Sequence, residues 1–217
     1  MADLITFDAA THTYTRSDGK EIPSVSSIIG ILTADHYGSI NPSVMEAAAR
    51  RGTMVHEELE SVDYDCFDGL APYEISGYIE AYLDFLRTYD VDWHGVEQIV
   101  YEPIANYCGT VDRYGTIDGQ LCVVDIKTYA QPTRENYMAL MAQTAAYEDA
   151  LRCMDKLPQI DQVKNYGLFL RKDGTFRLVD CAEYAKKFEQ NGREIFTRCW
   201  EFYNWKVRTL ERGKRKK

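Results

Sequence analysis

The stretch from Gly109 to Thr128 places the strongest constraint on how this chain folds. Two runs rich in β-branched and aromatic residues flank Asp118-Gly119, which is a typical two-residue hairpin turn. With these two residues as the loop, Asp112 lies directly opposite Asp125, and Lys127 shares the face of Asp125. Opposed Cβ atoms are about 4.5–5.5 Å apart, so two carboxylates placed there repel each other. The hairpin therefore gathers two acids and a lysine on one face.

A divalent cation would relieve this repulsion, because Mg²⁺ and Mn²⁺ prefer oxygen ligands and leave positions open for water and phosphate. Lys127 would then position an attacking water or neutralise charge that develops on the phosphate. The competing interpretation is a salt-bridge cluster on a solvated hairpin, with Arg113 as a further member. Strand alternation sends Arg113 to the opposite face, and this favours the metal site.

The rest of the chain shows alternating helical and strand-like patterns. The predicted helices cover about residues 43–63, 72–89, 133–152 and 182–210, after a helical pattern that opens at 23–32. The predicted strands cover about residues 96–104, 107–117, 120–128, 162–170 and 175–180, after short β-like runs at 4–7 and 12–15. This order predicts a single α/β or α+β domain over residues 1–217, with a mixed central sheet flanked by helices and an extra N-terminal hairpin.

The overall charge is acidic, at −9, which argues against a broad nucleic-acid-binding surface. The exception is a basic tail at residues 206–217, whose net charge of +6 leaves −15 on the rest. Both a frayed, solvated end and a segment that contacts a phosphate backbone fit this composition. No apolar run approaches the roughly 18–20 residues of a membrane span, and no signal peptide is evident, so we expect a cytoplasmic protein. The six cysteines lack zinc-site spacing.

Four short motifs follow one another along the chain. They are RGTMVHEELE at 51–60, GTVDR at 109–113, DIKT at 125–128 and QTAAY at 143–147. Together they resemble the motifs of the PD-(D/E)XK nuclease superfamily, in particular its RecB-like and phage-exonuclease branch. The opening, HTY at 12–14 followed by IPSV at 22–25, adds to the likeness. The first acid lacks the proline that gives the superfamily its name, and the chain after about residue 150 matches no motif.

The resemblance implies a restriction-endonuclease-like core and metal-dependent hydrolysis of DNA phosphodiesters, with Mg²⁺ or Mn²⁺ as cofactor. It assigns Asp112, Asp125 and Lys127 to catalysis. It assigns the metal to His56, Asp112, Asp125 and the backbone carbonyl of Ile126. Supporting or DNA-contacting roles fall to Glu60, Glu102, Gln143 and Tyr147. Without the resemblance, His56 reads as a hydrogen-bonded boundary residue, Glu60 as a surface charge and Tyr147 as an aromatic at the edge of the core.

The resemblance also implies a phage-type exonuclease that acts in recombination or replication. Its partners would be DNA, a single-strand annealing protein and further copies of itself in a homo-oligomer. It would have no membrane partner, and it would act in the host cytoplasm if a phage encodes it. Two alternatives remain. One is a catalytically silent nuclease-fold module that binds DNA or another protein. The other is a CRISPR-adaptation-type RecB-like nuclease without the usual iron–sulfur cluster, for which Cys181 and Cys199 are too scattered.

Overall fold

The computed structural model describes residues 5–9, 11–34, 38, 40–128 and 131–214, and it is a mixed α/β structure with two sheets. The strands are β1 (Ile5–Asp8), β2 (Thr13–Arg16), β3 (Glu21–Ile22), β4 (Val91–Glu102), β5 (Tyr107–Ile117), β6 (Gln120–Lys127), β7 (Lys164–Leu170) and β8 (Phe176–Asp180). The helices are α1 (Val25–Ile29), α2 (Pro42–Asp63), α3 (Ser76–Thr88), α4 (Arg134–Cys153), α5 (Cys181–Phe188) and α6 (Gly192–Lys214).

The main sheet has the order β4-β5-β6-β7-β8 and is mixed. Its neighbours are antiparallel except β6 and β7, which are parallel and are connected through α4. A small antiparallel sheet, β1-β2-β3, precedes it. The predicted mixed central sheet with flanking helices is confirmed. The N-terminal sheet has one strand more than the predicted hairpin, because Glu21–Ile22 pairs with β2.

The β5–β6 hairpin turns at the predicted dipeptide. Asp118 and Gly119 have φ angles of 50° and 75°, as a type I′ turn requires. The pairing runs from Ile117↔Gln120 to Arg113↔Val124, which is the predicted register, and the described ladder ends one step before the two acids. There the Asp112 Oδ2 instead accepts a hydrogen bond of 2.6 Å from the Ile126 backbone N–H. Asp112 and Asp125 therefore lie just beyond the last residue pair of the β5–β6 ladder.

Helices cover both faces of the main sheet. The face of β6 that carries Cys122, Val124 and Ile126 packs in one hydrophobic cluster with α2 and α3. Val123, from the other face, packs in a second cluster with α1, α4 and α6. The predicted apolar side of β6 is thus confirmed. Helix α2 begins after Asn41, whose side chain caps it by accepting a hydrogen bond from the Ser43 N–H.

The prediction of one helix over residues 182–210 is wrong, because the chain forms two. Glu189 adopts a left-handed conformation with φ of 54° and ends α5. Asn191 then accepts a hydrogen bond from the Glu194 N–H and starts α6. A side chain at Gly192 would overlap the Met141 carbonyl of α4, so the close packing of α6 on α4 requires glycine there.

The basic segment 206–217 is helical through Lys214, and residues 215–217 lie outside the described part. All six cysteines are free thiols. Within the described residues, no helix has both the length and the apolarity needed to cross a membrane.

Candidate metal centre

A cleft of about 540 Å³ opens where β6 ends, between α2 and α4. His56 reaches it from α2, beside the fully buried Val55 and Leu59 that fix the helix on the sheet. Asp112 and Lys127 reach it from β5 and β6. The fold therefore brings three of the predicted site residues to one cleft, although they come from three different elements.

Three possible metal ligands lie together in the cleft, and they are His56, Glu97 and Asp112. The His56 Nδ1 lies 3.1 Å from the Glu97 Oε1 and 3.9 Å from the Asp112 Oδ1. One ligand atom from each residue lies within 4.8 Å of the other two. One imidazole nitrogen and two carboxylate oxygens thus converge on a single point.

Glu97 was not predicted from the sequence. It lies on β4 between the pairs Val96↔Arg113 and Gln98↔Val111, and so opposite Asp112. Its φ of 45° is unusual for a residue with a side chain. The register of β4 shifts just before it, near Gly95. A glycine inside a strand often marks a bulge, so Gly95 was the available signal.

Glu102, which was expected to support the site or contact DNA, is not part of this cluster. Its carboxylate accepts hydrogen bonds from the backbone N–H groups of Ile104 and Ala105 and from the Cys153 thiol. It lines a separate pocket near the end of α4. Glu102 therefore caps the turn between β4 and β5 and lies apart from the cluster.

Asp125 lies behind the cluster and is 1% exposed. Its Oδ2 lies 2.9 Å from the Lys127 Nζ, which donates its hydrogen bond to Oδ1 at 3.0 Å. The buried Oδ2 accepts no hydrogen bond of good geometry within the described residues. Burial raises the pKa of Asp125 to about 6, the positive charge of Lys127 opposes this shift, and the Asp112 carboxylate adds to it. Lys127 is thus the counter-ion of the buried Asp125 carboxylate.

The carboxylates of the cluster also shift the pKa of His56. Burial disfavours its charged form, but the Asp112 carboxylate and the hydrogen bond to Glu97 outweigh burial and raise the pKa of His56 to about 9. The carboxylates therefore favour a positive charge at the point where a cation would sit.

Arg113 takes no part in a solvated salt bridge with Asp125 and Lys127. It is fully buried and donates from Nε to the Asp63 Oδ2 at 2.6 Å. Its Nη1 donates to the Glu97 Oε1 at 3.0 Å and to the Asp112 backbone carbonyl at 2.6 Å. Arg113 thus connects the end of α2 to Glu97, and the surface salt-bridge interpretation does not describe it.

Helix α4 closes the cleft with Gln143 and Tyr147. The Lys127 Nζ donates to the Gln143 Oε1 at 3.4 Å, and the Gln143 Nε2 donates to the Tyr147 hydroxyl at 3.2 Å. Tyr147 is buried, and its ring lies against Gly109, where an added Cβ would come within 2.7 Å of it. Tyr147 is therefore an aromatic of the core that also lines the cleft. Glu60 and Ile126 line it too.

These residues fit a hard divalent cation. The donor set of the cluster is one imidazole and two carboxylates, and the buried Asp125 carboxylate lies behind it with Lys127 as its partner. Such oxygen-rich sets suit Mg²⁺ or Mn²⁺. The imidazole shifts the preference toward Mn²⁺.

Comparison with protein-family models found none that matches the chain, and comparison with curated proteins found no match.

Proposed function

We propose that this protein is a metal-dependent deoxyribonuclease whose cation is held by His56, Glu97 and Asp112, with Asp125 beside them. One observation carries the proposal: a nitrogen and two carboxylate oxygens converge within 4.8 Å in a cleft that also contains Lys127. A cluster of acids alone would repel a polyanion. An acid cluster that holds a cation beside a lysine attracts a phosphate.

The connectivity supports a restriction-endonuclease-like core. The order β4-β5-β6, then α4, then β7 parallel to β6 agrees with the core that the sequence motifs imply. Fold alone does not define function, so the proposal rests on the site. The finer assignment rests on the motifs alone. It is a phage-type exonuclease that works with a single-strand annealing protein, forms a homo-oligomer and acts in the host cytoplasm.

Each residue has a role that follows from its contacts. When bound, the cation would offset negative charge on the phosphate and would lower the pKa of a bound water molecule. Lys127 holds its ammonium group between Asp125 and Gln143, where it offsets negative charge that develops on the phosphate. Gln143 and the Tyr147 hydroxyl keep that ammonium group in place. The Asp112 carboxylate is oriented by the Ile126 N–H and presents its other oxygen to His56.

The test is cleavage of end-labelled linear DNA and of circular DNA with Mg²⁺ or Mn²⁺. We expect the wild-type protein to cut and the Asp112→Asn and Asp125→Ala variants to bind DNA without cutting. The matched control is Asp92→Asn, because Asp92 is an exposed acid on β4 outside the cluster. Products from linear DNA alone would support exonuclease action.

Two results would contradict the proposal. If the wild-type protein fails to cut DNA with Mg²⁺, Mn²⁺ or any other metal tested, the binding-module interpretation replaces the proposal. If Asp112→Asn cuts as fast as Asp92→Asn, the activity belongs to another site or to a contaminant.

A further inference from the structure

The cleft that holds the metal cluster has a second, chemically different end. Phe7, His12 and Tyr14 of the small N-terminal sheet line the same cleft as His56 and Lys127. The first three contribute aromatic rings, whereas the cluster contributes carboxylates and a lysine. One continuous cleft therefore combines a charged end with an aromatic end.

The three rings form one contiguous group. The ring centroids of Phe7 and Tyr14 are 4.6 Å apart and those of Phe7 and His12 are 5.1 Å apart. Tyr14 is buried beneath the group, Phe7 is half-buried and His12 is exposed. The outer two rings thus remain available to a ligand in the cleft. We call Phe7 and His12 the aromatic ledge.

The ledge is fixed relative to the metal cluster. The Tyr14 hydroxyl forms a hydrogen bond of 2.8 Å with the Thr110 hydroxyl, and Thr110 lies two residues before Asp112 on β5. The chain after β3 is also bonded to β5, because the Cys108 N–H donates to the Pro23 carbonyl at 3.1 Å. A ligand that contacts both ends of the cleft therefore meets a fixed geometry.

Packing does not account for His12. Its φ of 54° is in the left-handed region, which is uncommon for a residue with a side chain. An asparagine or glycine would make this turn more readily, and an exposed imidazole adds little to a core. The position of His12 at the rim of the cleft points instead to a contact with the ligand.

We propose that the aromatic ledge stacks on an unpaired base, so that the cleft takes nucleotides from a single strand. This inference rests on the proposed nuclease function and names its substrate class. A nucleotide has an anionic part and a flat aromatic part, and the two ends of the cleft match them. Stacking of bases on aromatic side chains is the usual way in which proteins hold single strands. A cleft of about 540 Å³ is the size of a small-ligand pocket, roughly 300–1,000 Å³, and accommodates part of one strand rather than a duplex.

The test uses short DNA in which one terminal base is 2-aminopurine, whose fluorescence falls when it stacks. The protein is titrated with the single strand and with a blunt duplex that carries the same base at the same end, with Ca²⁺ as the cation, because 2-aminopurine in a duplex interior is already quenched by stacking. We expect quenching with the single strand and little with the duplex. Phe7→Leu, which keeps an apolar side chain without an aromatic ring, and His12→Asn, which tolerates the backbone conformation, should each weaken single-strand binding about tenfold, or about 1.4 kcal/mol.

Two matched controls separate stacking from damage to the fold. Phe7→Tyr keeps the ring and should bind as the wild type does. Tyr73→Leu removes an exposed ring between α2 and α3, far along the chain from the ledge, and should have no effect. Circular dichroism of Phe7→Leu and His12→Asn should match the wild type.

The outcomes distinguish this inference from the proposed function. If the wild type cuts DNA but Phe7→Leu and His12→Asn bind and cut single strands normally, the ledge is wrong and the nuclease stands. If the wild type does not cut but quenching depends on Phe7, the ledge stands and the nuclease is wrong. Equal quenching by the blunt duplex, or none by the single strand, overturns the ledge.

Discussion

Glu97 is the residue of the candidate site that was not predicted from the sequence. Its carboxylate contacts the imidazole of His56 and the guanidinium of Arg113, so it links the metal cluster to the buried charge behind it. A carboxylate in this place would be a ligand of the proposed cation and would also orient the histidine. Both roles depend on its negative charge, which a neutral amide of the same shape lacks.

We therefore predict that Glu97→Gln lowers the affinity for Mn²⁺ by about 10- to 100-fold, the usual effect of removing a group that binds or orients a metal ligand. Isothermal titration calorimetry measures the change, with Asp92→Asn as the control for loss of one acidic charge from β4. Unchanged Mn²⁺ affinity in Glu97→Gln would place the metal elsewhere.

The sequence motifs could not have identified Glu97, because its position opposite Asp112 depends on the register between β4 and β5. Asp112, Asp125 and Lys127 are close in sequence and share one hairpin, so alternation and the turn dipeptide were enough to group them. Glu97 joins them only through the shift of β4 near Gly95. Local pattern was therefore enough to group the hairpin residues, whereas Glu97 required the pairing between β4 and β5.

At the scale of elements, the end of α2 is held by a buried network. Arg113 of β5 donates to Asp63, and Asp63 also accepts from the Tyr82 hydroxyl of α3 at 2.7 Å. Trp93 of β4 donates to the same hydroxyl at 3.0 Å. Burial raises the pKa of Asp63, and Arg113 and Tyr82 oppose that shift. The network joins two helices and two strands directly behind the cleft.

We predict that Asp63→Ala lowers the free energy of unfolding by about 3–5 kcal/mol, because it leaves the guanidinium of Arg113 buried without its main partner. Urea unfolding followed by circular dichroism measures this loss. The double variant Asp63→Leu/Arg113→Met, which buries no charge at either position, should recover much of the stability. A loss below about 1 kcal/mol in Asp63→Ala would mean that the pair contributes little.

The helices and strands themselves were largely predictable, since their apolar periodicity and turn residues are local. The break between α5 and α6 was missed because it depends on a left-handed glutamate, Glu189, for which sequence gives no clear signal. The burial of Asp125 was also missed. It follows from the packing of α4 against β6, which no local pattern encodes.

For the molecule as a whole, the proposed cation should act as a stabilising ligand. A ligand that binds only the folded state at about 100 times its Kd adds about 2.7 kcal/mol, which for a chain of this length raises the Tm by roughly 5–10 °C. We predict a shift of this size with Mn²⁺ or Mg²⁺ in a thermal unfolding assay of metal-depleted protein.

The shift should be absent in Asp112→Asn and retained in Asp92→Asn. An equal shift in Asp112→Asn would show that the ions bind the acidic surface without using the cluster.

Three hydrophobic clusters are present among the described residues, and the cleft lies at their junction. Its α2 wall belongs to one, its α4 wall to the second and its N-terminal sheet to the third. No single cluster surrounds the cleft, so loosening of any of them would misalign the ligands while most of the molecule stays folded. The proposed nuclease activity should consequently fail at lower urea concentrations than secondary structure does, and storage conditions should be judged by that activity rather than by helicity.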